Sequence, residues 1–406
     1  MWVRIPPGVP SHAPVTELAY VPRLNPGSCR FESCPGHQSA ECAQGVYIGC
    51  MLAGLCFAPT PARVVQTPHR YGVSVRSPRL GTIRAQQRSE MNQGRLISFK
   101  FLRCLVIALL VFAVGGGSYL YFFFLAPVGS GPAGPDVPNE DFGHVWTEKK
   151  ALLLGIGDSI TAGYGSSPGF SYFDRLLSNP DGDSQDMSGK SLSSVLPDLN
   201  SRNISVSGSI SIQHLERQIE RLTTNSTDVL GIVVMTTGGN DLIHQYGRVP
   251  PKEGAMYGAT FEQAEPWIAN FEKRLDRMVQ AIRDRFPGGC HIFLANIYDP
   301  TDGTGSTGST GLPAWPDALK LLHAYNSIIE NCARAHDFVH LVDIRTPFLG
   351  HGIHATKFWL PHYRRSDPHY WYYPNIEDPN DRGYDAIRRV FLLEMGKVFS
   401  NEQGAG

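Results

Sequence analysis

Three short blocks in this sequence carry the side chains of a nucleophilic reaction. The first is Gly157-Asp158-Ser159-Ile160-Thr161-Ala162-Gly163. A serine flanked by small residues where an apolar segment ends can sit at the mouth of a turn or helix, open to substrate and close to free backbone amides. The second block, Ser207-Gly208-Ser209, can add another backbone N–H. The third, Gly238-Gly239-Asn240-Asp241, offers an amide donor on Asn240, and its glycines let the backbone approach closely. One hydroxyl and three convergent donors describe a nucleophile with an oxyanion hole. Standing alone, Ser159 reads more readily as a helix N-cap; the other two blocks are what favour chemistry.

These blocks need rigid elements to bring them together. Apolar runs at Ala151 to Ile156, Ile204 to Val206, Val229 to Met235, His291 to Ala295 and Val339 to Val342 predict buried strands. Between them, Ile268, Phe271, Leu275, Met278 and Ile282 form one stripe at helical spacing, and Leu319, Leu322 and Ile329 another. A last helix is expected to start near Asp381 and run through Val390 and Leu393. Five strands, each followed by a helix or long crossover, predict a parallel sheet covered on both faces, with ligands bound outside the carboxyl ends of the strands. Each candidate block follows such a strand.

In this order and context, the Gly-Asp-Ser-Ile block, Gly208 and the Gly-Gly-Asn-Asp block resemble the SGNH/GDSL hydrolase family over roughly residues 150–400. The resemblance implies a three-layer, flavodoxin-like, doubly wound α/β fold with five parallel strands. It also implies Ser159 as nucleophile and an oxyanion hole made by the Ser159 N–H, the Gly208 N–H and the Asn240 side chain, with Asp158 and Asp241 anchoring their turns. The family's last block, Asp-x-x-His-Pro, supplies the general base and its orienting acid. Here the aligned residues are Asn375-Ile376-Glu377-Asp378-Pro379, so Asp378 stands where His is expected and Asn375 where Asp is expected. A carboxylate of ordinary pKa is a poor base for serine at neutral pH. The nearly forty residues between the fifth strand and the last helix hold His351, His354, His362 and His369, a length that suggests a functional insertion. Asp367-Pro368-His369 places a carboxylate two residues before a histidine, so His369 is expected as base with Asp367 as orienter. His354 is the competing base and Asp378 the alternative acid.

The chemistry so read is serine acyl transfer through an acyl-enzyme, needing no metal or organic cofactor. A metal site from His351, His354, His362 and Asp367 is the weaker reading, since their spacing matches no strong zinc signature. Trp359, Tyr363, Tyr370, Trp371, Tyr372 and Tyr373 form either a substrate-stacking wall or the packing that seats the insertion. An O-acyltransferase on envelope polysaccharide and a carbohydrate-binding domain that has lost its base are the alternative functions.

Stepping toward the amino terminus, Cys104 to Ala126 is apolar apart from Ser118, long enough to cross a bilayer, and follows Arg95, Lys100 and Arg103. Residues 91–126 thus read as a retained signal anchor with the amino end in the cytoplasm, and 127–149 as a Pro/Gly linker to an extracytoplasmic domain at 150–400. Residues 1–90 show no sustained period and read as a disordered or misassigned leader. Val3-Arg4-Ile5-Pro6 and Arg30-Phe31-Glu32-Ser33 can both be encoded by a GTTCGANTCC string resembling a transfer-RNA arm, which points to Met91 as the initiator. The 406-residue chain has a net charge of −1, but residues 1–103 carry 12 Lys/Arg against 4 Asp/Glu, leaving 24 against 33 downstream. An acidic domain fits a small-molecule or saccharide ester and disfavours nucleic acid. Cys290 and Cys332, the only cysteines after Cys104, leave one disulfide open.

Overall fold

The computed structural model describes residues 80–308 and 310–404; the leader expected over residues 1–90 lies, up to residue 79, outside those described. The first element, α1 (Leu80–Phe123), runs across Met91 and contains one stretch, Phe99–Phe123, long and apolar enough to cross a membrane. After it, five strands form one parallel sheet: β1 (Lys150–Ile156), β2 (Leu199–Asn203), β3 (Val229–Met235), β4 (Cys290–Ala295) and β5 (Val339–Val342). Their order is β2-β1-β3-β4-β5. This is the doubly wound order, and its winding reverses between β1 and β3, where a crevice opens at the carboxyl ends. Asp158-Ser159 and Gly239-Asn240 lie directly after those two strands.

Strand alternation builds the two cores that hold this crevice rigid. Leu153 of β1, Ile232 and Val234 of β3, and Phe293 of β4 face one side. There they meet α3 (Tyr172–Leu177), which follows the short α2 (Ser159–Ala162), and the last helix. Leu154, Ile156, Val233 and Met235 face the other side. Beyond the short α4 (Gly239–Ile243), that side is covered by α5 (Phe261–Arg283), through Phe271 and Leu275, and by α6 (Ala318–Ala335), through Tyr325 and Ile329. Period-2 burial on the strands and period-3.6 burial on the helices therefore close a three-layer structure. The chain ends in α7 (Asp381–Gly404).

Two segments differ from the sequence reading. The second strand lies at Leu199–Asn203, before Ile204, because it is the sheet edge: four of its five residues are exposed, so no apolar run marks it. The ladder continues past it, with the Ile204 N–H donating to Gly155 O at 2.9 Å and the Val206 N–H to Gly157 O at 3.0 Å. The Pro/Gly segment after α1 is a docked strap rather than a free tether. Ala133 and Val137 are buried, the Tyr370 N–H donates to Pro127 O at 2.8 Å, and Lys190 Nζ donates to Val137 O at 2.6 Å. Trp146 then stacks on Phe399 of α7 at 5.1 Å. Cys290 and Cys332 are free thiols, and burial pushes each up to about 12.

Candidate active site

Ser159 opens α2 at the end of β1. The turn is shaped by Gly157, whose φ of +139° leaves a side chain no room, since a Cβ would stand 2.4 Å from Thr236 O. Asp158 caps the helix: its carboxylate accepts from the Ile160 N–H at 3.1 Å and from Thr236 Oγ1 at 2.8 Å. Burial drives that carboxyl up to about 6. Gln218 clamps both backbone groups of Gly157, accepting its N–H at 2.9 Å and donating to its carbonyl at 2.8 Å. Ser159 thereby sits on a fixed turn with helix N–H groups beside it, the geometry that stabilises developing negative charge.

Asn240 lies in α4 after β3. Its Nδ2 donates to Ser209 O at 3.0 Å, tying the Asn240 amide to the turn containing Gly208, which takes φ +78°. Behind that turn, His214 is fully buried between Ser209 Oγ (2.8 Å) and Thr237 Oγ1 (2.9 Å), and burial lowers it to about 3, so it is a neutral brace. Asp241 likewise holds structure, accepting from the Ser211 N–H at 2.8 Å and from the Ser211 hydroxyl. Ser159 and Asn240 line the same cavity, of about 130 Å³, whose other walls include Leu242, Leu319 and Ile353. Gly208 is not among its lining residues, and its connection to the site runs through Ser209 and Asn240.

The expected base is elsewhere. His369 and Asp367 do pair, Nδ1 to Oδ1 at 2.5 Å, but they line a separate open cleft that does not include Ser159. The reason is the grip on Asp367: Arg382 of α7 donates to its two oxygens at 3.1 and 2.9 Å, and Trp371 Nε1 donates at 3.2 Å. Arg382 also donates to the strap carbonyls of Val128 and Pro132. The pair is part of the fastening between strap, insertion and last helix. His354 is equally committed, with Nδ1 to Lys357 Nζ at 2.7 Å and Nε2 to Ser306 O at 3.1 Å. His351 stacks on Trp371 with centroids 3.5 Å apart. Tyr370, Trp371 and Tyr372 are buried, so this part of the aromatic run seats the insertion. Among the described residues no group of three His, Cys, Asp or Glu is placed to hold a metal ion. Exchanging His369 for Ala is therefore expected to change ester turnover by no more than a few-fold while lowering the thermal midpoint, read by steady-state kinetics and thermal melting together.

The group that does meet Ser159 in the cavity is Asp378. It is buried, which pushes its carboxyl up to about 6 against the opposing pull of the Ser159 hydroxyl and the Asn375 amide. Asn375 Nδ2 donates to Asp378 Oδ2 at 2.6 Å, and Asn375 Oδ1 accepts from the Asp378 N–H at 3.1 Å. Among the described residues no well-aligned hydrogen bond reaches the buried Asp378 Oδ1. One oxygen is thus held and the other is left for a proton. Next to it, burial together with the charges of Asp378 and Asp158 raises Glu377 to about 8, and the Tyr246 hydroxyl donates to it. Sequence reasoning noted Asp378 only as a substitute acid; burial, the property that changes its chemistry, is not written in the motif.

A doubly wound parallel sheet thus brings a serine, an amide donor and a carboxyl together on one cavity at its switch point. Residues 156–386, more than half of the chain, match the GDSL-like Lipase/Acylhydrolase family, and the protein belongs to that family. It is accordingly a hydrolase of ester bonds. Solved structures similar to it include an extracellular lipase from Streptomyces rimosus, at 17% identity and TM-score 0.42, covering 60% of this chain and 98% of that one. A phospholipase A1 from Streptomyces albidoflavus NA297 is similar at 19% identity and TM-score 0.37, covering 60% and 98%. A psychrotrophic esterase from Pseudoalteromonas sp. is similar at 16% identity and TM-score 0.33, covering 62% and 99%. No curated protein matches the sequence.

Proposed function

We propose that this protein cleaves a carboxylic ester through an acyl-enzyme on Ser159, with Asp378 as the general base. The observation that carries this reading is the meeting of Ser159, Asn240 and Asp378 on one cavity. In the first step Ser159 Oγ attacks the ester carbonyl carbon and its proton passes to Asp378. The resulting oxyanion is held by the Ser159 N–H and the Asn240 amide, which the Gly208 turn positions through Ser209. Collapse breaks the bond to the alcohol oxygen, which leaves with the proton from Asp378. Water then repeats the sequence and releases the acid. A carboxyl near 6 is ionised at pH 7 yet much closer to it than an ordinary aspartate, as a general base requires.

The apolar walls favour an acyl chain over a sugar ring in the cavity. At about 130 Å³ the space is on the scale of the roughly 150 Å³ that admits one benzene-sized molecule, which fits a short acyl group. Arg95, Lys100 and Arg103, before and at the start of the Phe99–Phe123 stretch, support a membrane anchor with its amino end in the cytoplasm and the hydrolase domain on the extracytoplasmic side. A fluorophosphonate tests the core of the reading: a stoichiometric phosphonyl adduct is expected on the peptide containing Ser159. Folded protein that stays unlabelled, or labels only at other residues, would overturn the serine mechanism.

A further inference from the structure

We propose that the turn at Phe358 and Trp359 is a membrane-contact surface that lies in the interface of the bilayer crossed by α1 and keeps the hydrolase cavity close to it. The inference rests on the reading of α1 as a membrane anchor. The tether is too short for the domain to stand away from the surface. α1 ends at Phe123, and Pro127 O already accepts the Tyr370 N–H of the domain at 2.8 Å. Only Phe124, Leu125 and Ala126 intervene, and four steps of extended chain reach at most about 14 Å.

The turn meets the end of the helix directly. The ring of Phe122 lies 5.1 Å from Trp359 and 5.6 Å from Phe358, and Phe123 lies 6.3 Å from Trp359. Lys357 Nζ sits 4.9 Å above the Phe123 ring. Despite these contacts Phe358 remains 60% and Trp359 49% exposed, beside Phe124 at 65% and Leu125 at 59%. Large apolar side chains gathered at the end of an apolar helix, with an indole among them, match the composition of the bilayer interface, where aromatic rings collect. A soluble protein gains nothing from leaving such a patch in water.

The patch is also fastened to the cavity. Lys357 bonds His354, and the N–H groups of Gly350, Gly352 and His354 converge on the Asp302 carboxylate at 2.8, 2.8 and 2.9 Å. The Ile353 N–H donates to Pro300 O at 2.9 Å. Pro300 and Ile353 both line the Ser159 cavity, so its wall and the membrane patch belong to one hydrogen-bonded block.

The test uses the full chain reconstituted in phosphatidylcholine vesicles, with lipids brominated at shallow acyl positions as quenchers of tryptophan emission. The wild type is expected to show a quenchable component that disappears in Trp359→Phe, while turnover of a soluble aryl ester stays the same in both. Equal quenching in wild type and variant, or full access of Trp359 to aqueous acrylamide in the vesicles, would overturn the membrane contact. A chain that fails to float with the vesicles would overturn it by removing the anchor reading. The ester assay on the same samples reports separately on the Ser159 site.

Discussion

Asp378→Asn is expected to lower kcat/KM for a short-chain aryl ester by about 10²–10⁴-fold, the range a positioned general base contributes, with little change in the thermal midpoint. The amide keeps the shape and can still meet Asn375, but it takes no proton from Ser159. A more discriminating experiment reverses the pair. In the family pattern an Asp accepts from a His; here Asn375 donates to Asp378 at 2.6 Å. Both ends of the bond differ together, and one hydrogen bond of opposite polarity survives. The double variant Asn375→Asp, Asp378→His should therefore be active, and more active than either single change, a coupling measurable in a double-mutant cycle. Wild-type kcat/KM should rise through about pH 6 as Asp378 ionises. It should fall above about pH 8, where ionised Glu377 places a second negative charge beside the developing oxyanion. An Asp378→Asn enzyme as fast as wild type, or a profile flat through pH 6, would remove Asp378 from the reaction.

Why the motif is legible in the sequence and the proposed base is not is a matter of range. Ser159 and Asn240 each follow a buried strand of the switch point, so a local pattern and a sheet rule suffice to aim them at one crevice. The faces of α5 and α6 were equally readable, because Phe271, Leu275 and Ile329 repeat at helical spacing toward one core. The pairing of Asp367 with His369 follows from their closeness in the chain, but the cleft they occupy is decided by Arg382, Trp371 and the strap, none of them local. Asp378 occupies the aligned position of the family's base, where the pKa of a solvated carboxylate argues against it. Burial changes that value, and burial is a property of the assembled fold. His214 and Gln218, which brace the Gly208 and Gly157 turns from behind, carried no motif; they become identifiable only once the chain between β2 and β3 is seen to cross under the site.

Asp385→Ala is expected to destabilise the domain by about 3–5 kcal/mol, the cost of removing one partner from a buried ionic network. Asp385 sits in α7 between two arginines whose side chains are 0% and 1% exposed, Arg388 and Arg389. It pairs with both, reaching Arg389 Nε at 3.1 Å, and also accepts the Ala133 N–H of the strap at 3.2 Å. Asp183 and Asp186 complete the cluster, with contacts of 2.5 Å to Arg388 and 2.6 Å to Arg389. Without Asp385, two adjacent guanidinium groups share two carboxylates at the far ends of their forks, and the strap loses a tie. The loss should reach the active site, because the same helix begins at Asp381, three residues after the proposed base. Asp381 holds Ser167 through its N–H and hydroxyl at 2.7 Å each, and Arg175 donates to its carbonyl at 2.7 Å. Denaturant unfolding should therefore show a lower midpoint for Asp385→Ala, and kcat should fall in conditions where the protein remains folded. The exposed Lys397 to Glu394 pair on the same helix provides the control, since Lys397→Ala should leave both quantities near wild type. An Asp385→Ala midpoint equal to that of the control would show that apolar packing of Ile387, Phe391 and Met395, rather than the buried ions, holds the helix that follows the proposed base.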